Sequence, residues 1–216
     1  MGLKRGKFIV FEGVGGSGKG TQTKLAKRLL KKNRIKIITT REPGGISSSE
    51  TIRQLIFDLK SKKLIGAEGQ MVLFYAARKF WVDKIVAPSL KKGICVIADR
   101  SYTTTGAYQG YAEGGSQKII LKISDVVMGK TKPDAIILLD VSVETSMERR
   151  KNPNGDPFDK EDKIYFQKII SGYREMARKK WGGLKWYVVD GEPNPNIVSE
   201  SVVRVLEGIF QKKLHR

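Results

Sequence analysis

The chain alternates short, unbroken apolar runs with longer stretches in which apolar residues recur every three to four positions. KFIVFEG (7–13) is a β-branched and aromatic run ending in glycines, as expected of a strand covered on both faces. IKIITT (35–40), GICVIADR (93–100), DAIILLDV (134–141) and LKWYVV (184–189) have the same character. Between them the period lengthens. From Gly18 to Lys32 the residues Leu25, Ala26, Leu29 and Leu30 fall at helical spacing. Segments 47–61 and 67–92 read as two further helices, the second carrying Met71, Phe74, Tyr75 and Val82. A Thr- and Gly-rich stretch after the third strand reads as a loop, and helices are expected near 116–129, 142–151, 161–180 and at the C-terminus. KNPNGDPFDKED (151–162), with two prolines, a glycine and many charges, reads as an exposed, mobile loop.

Five apolar strands separated by helices imply a three-layer α/β/α fold, a parallel sheet with helices on both faces. No repeat or linker suggests a second domain, so residues 1–216 read as one domain with a short lid at about 149–162. Ligands of such sheets bind beyond the carboxyl ends of the strands. Gly13, Arg41-Glu42, Asp99-Arg100 and Asp140 all follow strand ends, so four ends are expected to converge on one site.

Composition narrows the class. Of 216 residues, 40% are apolar and 29% charged, the balance of a globular protein rather than a disordered one. No apolar run approaches the roughly 20 residues of a membrane helix, and the N-terminus lacks a signal-peptide pattern, which points to the cytoplasm. The net charge of +19 permits nucleic-acid binding, and it equally suits a pocket that holds several phosphates. The basic residues are scattered, mostly in pairs at element ends, rather than gathered in a stripe. A nucleic-acid partner is therefore not expected. The single cysteine, Cys95, lies within a strand and the only histidine is His215, so no Cys/His metal cluster is available.

GVGGSGKGT (13–21) carries the chemistry. It contains the G-x-x-x-x-G-K part of a P-loop, after a strand and opening a helix. Its glycines, Gly13, Gly15, Gly16, Gly18 and Gly20, let backbone N–H groups turn toward phosphate oxygens, with Val14, Ser17 and Thr21 completing the ATP-binding stretch. Lys19 is the cation expected on the transferring phosphate. The residue after Lys19 is Gly20, so the hydroxyl that commonly meets Mg²⁺ is absent there. Coordination through water, or by Asp99, has to replace it.

With three further motifs the chain resembles the thymidylate kinase family: TREPGG (40–45), LFYAAR (73–78), and Asp99-Arg100 followed by AYQG (107–110). The late segment 156–177 is similar to that family's lid and following helix, and the resemblance runs from about residue 7 to 210. It implies a P-loop fold, ATP and Mg²⁺, and phosphorylation of dTMP to dTDP, usually by a homodimer. It further implies Phe74 stacked on the base, Arg78 donating to a base carbonyl, Thr105 and Gln109 completing base recognition, and Tyr108 beneath the sugar. Arg100 is expected on the acceptor phosphate with Arg41 nearby, Glu42 and Pro43 along the acceptor side, and Asp99 on Mg²⁺ or its waters.

Two departures qualify this expectation. Gly15 stands where many relatives place a carboxylate for the acceptor's 3′-OH, which leaves Glu12 as the alternative. Pro157 stands where the lid pattern D-R-x-E has its arginine. The P-loop has no arginine either, so the lid cation is expected to be Arg149 or Arg150, with Lys151 or Lys160 as substitutes. Two competing readings are a monophosphate kinase for AMP, UMP or dUMP, and a basic nucleic-acid-binding ATPase or inert nucleotide-binding module.

Overall fold

A computed structural model describes residues 5–150 and 156–215. Five strands form one wholly parallel sheet: β1 (Phe8–Glu12), β2 (Ile37–Arg41), β3 (Cys95–Asp99), β4 (Ala135–Asp140) and β5 (Trp186–Asp190), in the order β2-β3-β1-β4-β5. β1 is central, and its register sets Phe11 opposite Asp99 of β3 and Glu12 opposite Leu138 of β4. Because successive side chains point to opposite faces, Phe8 and Val10 enter one core while Ile9 and Phe11 enter the other.

The second core is closed by α1 (Lys19–Lys32) and α9 (Pro195–Phe210), through Ala26, Leu30, Val198, Val202 and Leu206. The first is closed by α3 (Ala67–Trp81), α6 (Gln117–Met128) and α8 (Lys163–Arg178), with α2 (Ser47–Ser61) packed on α3. Hydrophobic burial on both faces of the sheet is what the unbroken apolar strands required. Cys95 is fully buried, its thiol accepting from the Lys7 N–H, and burial pushes its pKa up. Among the described residues no helix is long and apolar enough to cross a membrane.

Two segments differ from the sequence pattern. The helix expected over 67–92 is interrupted: α3 gives way to a wide π-turn at Val82–Val86 before the short α4 (Ala87–Lys91). Pro88 lies in the first turn of α4, and a proline there lacks the N–H that an uninterrupted ladder would need. The Thr- and Gly-rich stretch after β3 is helical, α5 (Tyr102–Thr105) running into a π-segment at Gly106–Ala112. Threonine and glycine favour helix weakly, and tertiary contacts override them. The Glu12 carboxylate accepts from the Ser101 N–H at 3.0 Å and from the hydroxyls of Thr103 and Thr104, which fixes the first turn.

Candidate active site

The loop after β1 folds back over the start of α1. Gly16 and Gly18 hold φ of 76° and 92°, and a Cβ on Gly16 would lie 2.6 Å from the Ser146 carbonyl oxygen. Only glycine meets both demands. The Lys19 ammonium donates to the carbonyls of Gly13 and Val14, each at 2.9 Å, and to Ser17 Oγ at 3.4 Å. Burial, with the neighbouring Arg100 charge, lowers its pKa to about 7. At Gly20 a Cβ would meet nothing within 4 Å, so packing does not exclude a side chain there. Thr21 is exposed.

Gly15 is different. A Cβ there would lie 2.5 Å from Arg150 Cδ and 3.1 Å from Asp159 Oδ1. Arg150, just past the end of α7 (Val143–Arg149), lies with its guanidinium 3.7 Å above the Phe166 ring. Its Nε donates to the Ser146 carbonyl at 3.1 Å and its Nη1 pairs with Asp159 Oδ1 at 3.1 Å. Arg149 turns away, donating to the carbonyls of Gly191 at 2.8 Å and Glu192 at 2.7 Å. The stems of both arginines lie over Gly16, and their guanidinium groups take different partners.

Within the expected lid, Lys151 lies outside the described residues and Lys160 is exposed. Pro157 opens a 3₁₀ turn, Pro157–Lys160, at a position where no N–H is needed. Asp156 caps it, accepting from the Phe158 N–H at 3.0 Å and the Asp159 N–H at 3.3 Å. This turn aims Asp159 at Arg150. The expected exposed loop is corrected at Phe158, which is buried among Phe57, Phe74 and Tyr108 at ring separations of 6.1, 6.1 and 5.9 Å. The Lys60 ammonium sits 4.6 Å above the Phe158 ring and pairs with Glu113 and Glu161. An aromatic flanked by prolines and charges still has more to gain from burial than from exposure.

Beside the P-loop is a cavity of about 230 Å³ lined by Arg41 to Pro43, by Arg53 and Phe57, by Phe74 and Arg78, by Asp99, Arg100, Thr104, Thr105, Tyr108 and Gln109, and by Asp156, Phe158 and Asp159. Phe74 and Arg78 lie one turn apart on α3 and face it together. Arg78 is buried; its Nη2 donates to Glu42 Oε2 at 2.9 Å and to Thr105 Oγ1 at 3.0 Å. Its Nε and Nη1, and Glu42 Oε1, have no partner among the described residues. Burial pushes the Glu42 carboxyl up, against the pull of Arg78. Arg100, at φ 72°, bridges the two halves: Nη1 donates to the Gly13 carbonyl and Nη2 to Tyr108 Oη, each at 3.3 Å. Arg41 reaches the cavity from the exposed side while pairing with Glu50 at 2.7 Å. Asp99 lines the cavity with a buried Oδ1 that has no partner among the described residues.

Two expectations are corrected here. Glu12 does not line the cavity, because its carboxylate already accepts from Ser101, Thr103, Thr104 and Tyr173, filling its acceptor positions. Asp140 does not join the other strand ends, since Arg174 Nε binds both its oxygens at 3.0 and 2.9 Å. Three strand ends converge rather than four. Sequence reading missed Arg53, Phe57, Thr104 and Phe158. The pair Arg53 and Phe57 left a weak signal in its helical spacing of four, and the Arg53 guanidinium lies 4.5 Å above the Phe57 ring. Burial, with Arg41 close by, depresses the Arg53 pKa, as expected where several cations gather for an anion.

Residues 11–202 match the family model described as "Thymidylate kinase". A thymidylate kinase of Nitrobacter hamburgensis is 37% identical over 206 residues, covering 94% of this chain and 88% of that protein. One of Prochlorococcus marinus is 36% identical, covering 95% and 98%. The crystal structure of thymidylate kinase from Ehrlichia chaffeensis superposes with a TM-score of 0.74 at 29% identity, covering 94% of this chain and 99% of that one.

Proposed function

The chain belongs to the thymidylate kinase family, and on that premise we propose that it transfers the γ-phosphate of ATP to the 5′-phosphate of dTMP, giving ADP and dTDP. The observation that carries this reading is Arg100, which reaches the P-loop carbonyl of Gly13 with one nitrogen and the cavity's Tyr108 with the other. A cation so placed serves an acceptor phosphate presented to the donor.

In the proposed reaction an oxygen of the acceptor phosphate attacks the γ-phosphorus as the bond to the β-phosphate oxygen breaks, and ADP leaves. Positioning and fixed charge supply the rate, with no covalent intermediate. The backbone N–H groups of Gly13 to Thr21 hold the donor phosphates, and Lys19 leaves its loop carbonyls to follow the γ-phosphate. Arg150, lying over Gly15, is the cation that meets the developing charge. Arg149 instead pins the turn at Gly191 and Glu192 beside the P-loop and flanks the donor. Arg100, with Arg41 and Arg53, grips the acceptor phosphate. Phe74 stacks on the base, Arg78, Thr105 and Gln109 read its polar edge, and Tyr108 packs below the sugar where a 2′-OH would crowd it. The lid of this single domain is expected at 149–162, of which 151–155 lie outside the described residues.

The chemistry of the site suits Mg²⁺: Asp99, lining the cavity, offers a buried oxygen without a partner among the described residues. When bound, the ion neutralises charge on the phosphate oxygens, and Asp99 would hold it or its waters. The reading places the enzyme in the cytoplasm as a homodimer, with the exposed apolar side chains Val72 of α3 and Val126 of α6 among those a second copy would cover.

The test is a coupled assay with ATP and dTMP, dUMP, UMP or AMP in turn. dTMP is expected to give the highest kcat/KM; equal or faster turnover of AMP would overturn the reading.

A further inference from the structure

Gln109 lines the acceptor cavity, yet an amide can present either a carbonyl oxygen or an NH₂ group, and the two recognise opposite partners. The structure fixes which one faces inward. The chain of contacts starts at the Ile65 carbonyl, just before α3, which can only accept. It accepts from Gln70 Nε2 at 3.3 Å, so the Gln70 amide is turned with its oxygen the other way. That oxygen accepts from Gln109 Nε2 at 3.1 Å. Both glutamines are 2% exposed, so no solvent competes for these bonds. One N–H of Gln109 is thereby held by Gln70, which fixes the amide's orientation, and its Oε1 makes no hydrogen bond among the described residues. One turn back along the same segment, Thr105 accepts from Arg78, whose Nε and Nη1 are donors without partners among the described residues.

We propose that Gln70, which does not line the cavity, is a positioning residue that sets the polarity of base recognition by locking Gln109 with its carbonyl oxygen toward the acceptor base. The cavity then offers an acceptor beside a donor. That pair matches a base with a ring N–H next to a carbonyl, the N3–H and C4=O edge of thymine or uracil. It opposes cytosine, whose N3 accepts and whose 4-amino group donates. A free Gln109 could turn over and set its NH₂ where Oε1 lies, to serve cytosine N3; here that turn would break the bond to Gln70 and bring the two amide oxygens together, so specificity is built by opposing the competitor as well as by binding the substrate. The proposal rests on the assignment of this cavity to the acceptor base.

The experiment compares kcat/KM for dTMP and dCMP. The unaltered protein is expected to prefer dTMP by about a thousandfold or more, because the wrong base leaves buried polar groups unpaired. Comparable use of dCMP would overturn the proposal without any variant. Gln70→Met keeps the length of the side chain and removes both polar atoms. It is expected to narrow the preference by about tenfold, the value of one buried hydrogen bond, mainly through a lower KM for dCMP. Gln70→Glu keeps an acceptor toward Gln109 and is expected to retain the original preference. An equal fall for both substrates in Gln70→Met, or an unchanged ratio in a variant with an unchanged melting temperature, would show that Gln70 does not orient Gln109. Arg78→Met separates the two levels. If it leaves the dTMP KM unchanged, the cavity assignment fails. If it raises that KM while Gln70→Met leaves the ratio intact, only the role of Gln70 fails.

Discussion

The P-loop half of the site is one consecutive stretch, Gly13 to Thr21, and its contacts are largely those of backbone. The acceptor half is assembled from side chains that start at Arg41 and end at Asp159. The difference has a physical origin. Polyphosphate is recognised by charge and by N–H groups, which any residue supplies once glycines let the chain curl. A base and a sugar require shaped walls and fixed donors, which only side chains supply. Consequences for mutation follow: donor-side changes should act on turnover with little loss of stability, and acceptor-side changes should also act on the fold, because the recognising groups are themselves buried.

The largest expected effect tests the acceptor side. Arg78→Ala leaves the buried Glu42 carboxylate without its partner and is expected to lower unfolding free energy by about 3 kcal/mol or more in urea titration. A loss below about 1 kcal/mol would erase the contrast, because that is the range of exposed ion pairs. Next comes the donor-side cation. Arg150→Ala is expected to reduce kcat at least ~100-fold with the melting temperature nearly unchanged, through lost stabilisation of developing charge. Arg149→Ala should act mainly on the KM for ATP. Equal losses of kcat in the two variants would show that their divergence in the structure has no catalytic meaning.

Gly15→Asp probes the seam between the halves. Its Cβ would collide with Arg150 Cδ, and its carboxylate would face Asp159. Turnover is expected to fall about tenfold from misplacement of Arg150, with Arg150→Ala relieving the stability loss but not the activity loss. Restored or raised activity in Gly15→Asp would mean that the arginine is not needed where it lies.

Lys19 offers a smaller, pH-dependent test. Its folded pKa of about 7 lies below the ordinary 10.5. Between those values the unfolded chain binds a proton that the folded chain does not, so stability rises with pH across that window. Lys19→Met is therefore expected to melt a few degrees above the unaltered protein at pH 7, while losing activity, with the gap closing as pH rises toward 10.5. A gap independent of pH would place its cause elsewhere. The smallest effect is expected for Gly20→Thr, where the new side chain meets open space; stability should change by less than about 1 kcal/mol, and the kinase should remain active.

The arrangement of five strands, the P-loop at the end of β1 and the pairing of Phe74 with Arg78 on one helical face could be read along the chain, because each is a local periodicity or a contiguous motif. Glycine at positions 15 and 20 looked like two equivalent departures. In the fold a side chain at Gly15 would displace that of Arg150, whereas one at Gly20 would meet nothing within 4 Å among the described residues, and nothing within the loop distinguishes them. Arg149 and Arg150 were likewise indistinguishable as neighbours; the fold gives them separate partners, the carbonyls at Gly191 and Glu192 against Asp159 and Phe166. Pro157 read as a missing arginine and proved to be the first residue of the turn that aims Asp159. Glu12 read as a ligand for sugar and proved to organise the helix after β3. The sequence by itself determined the layers, the donor loop and the chemical class, since those depend on residues close together in the chain. The tertiary structure alone decided which buried side chains are already paired and which are left with open valences, because a hydrogen bond spanning a hundred residues leaves no local pattern to read.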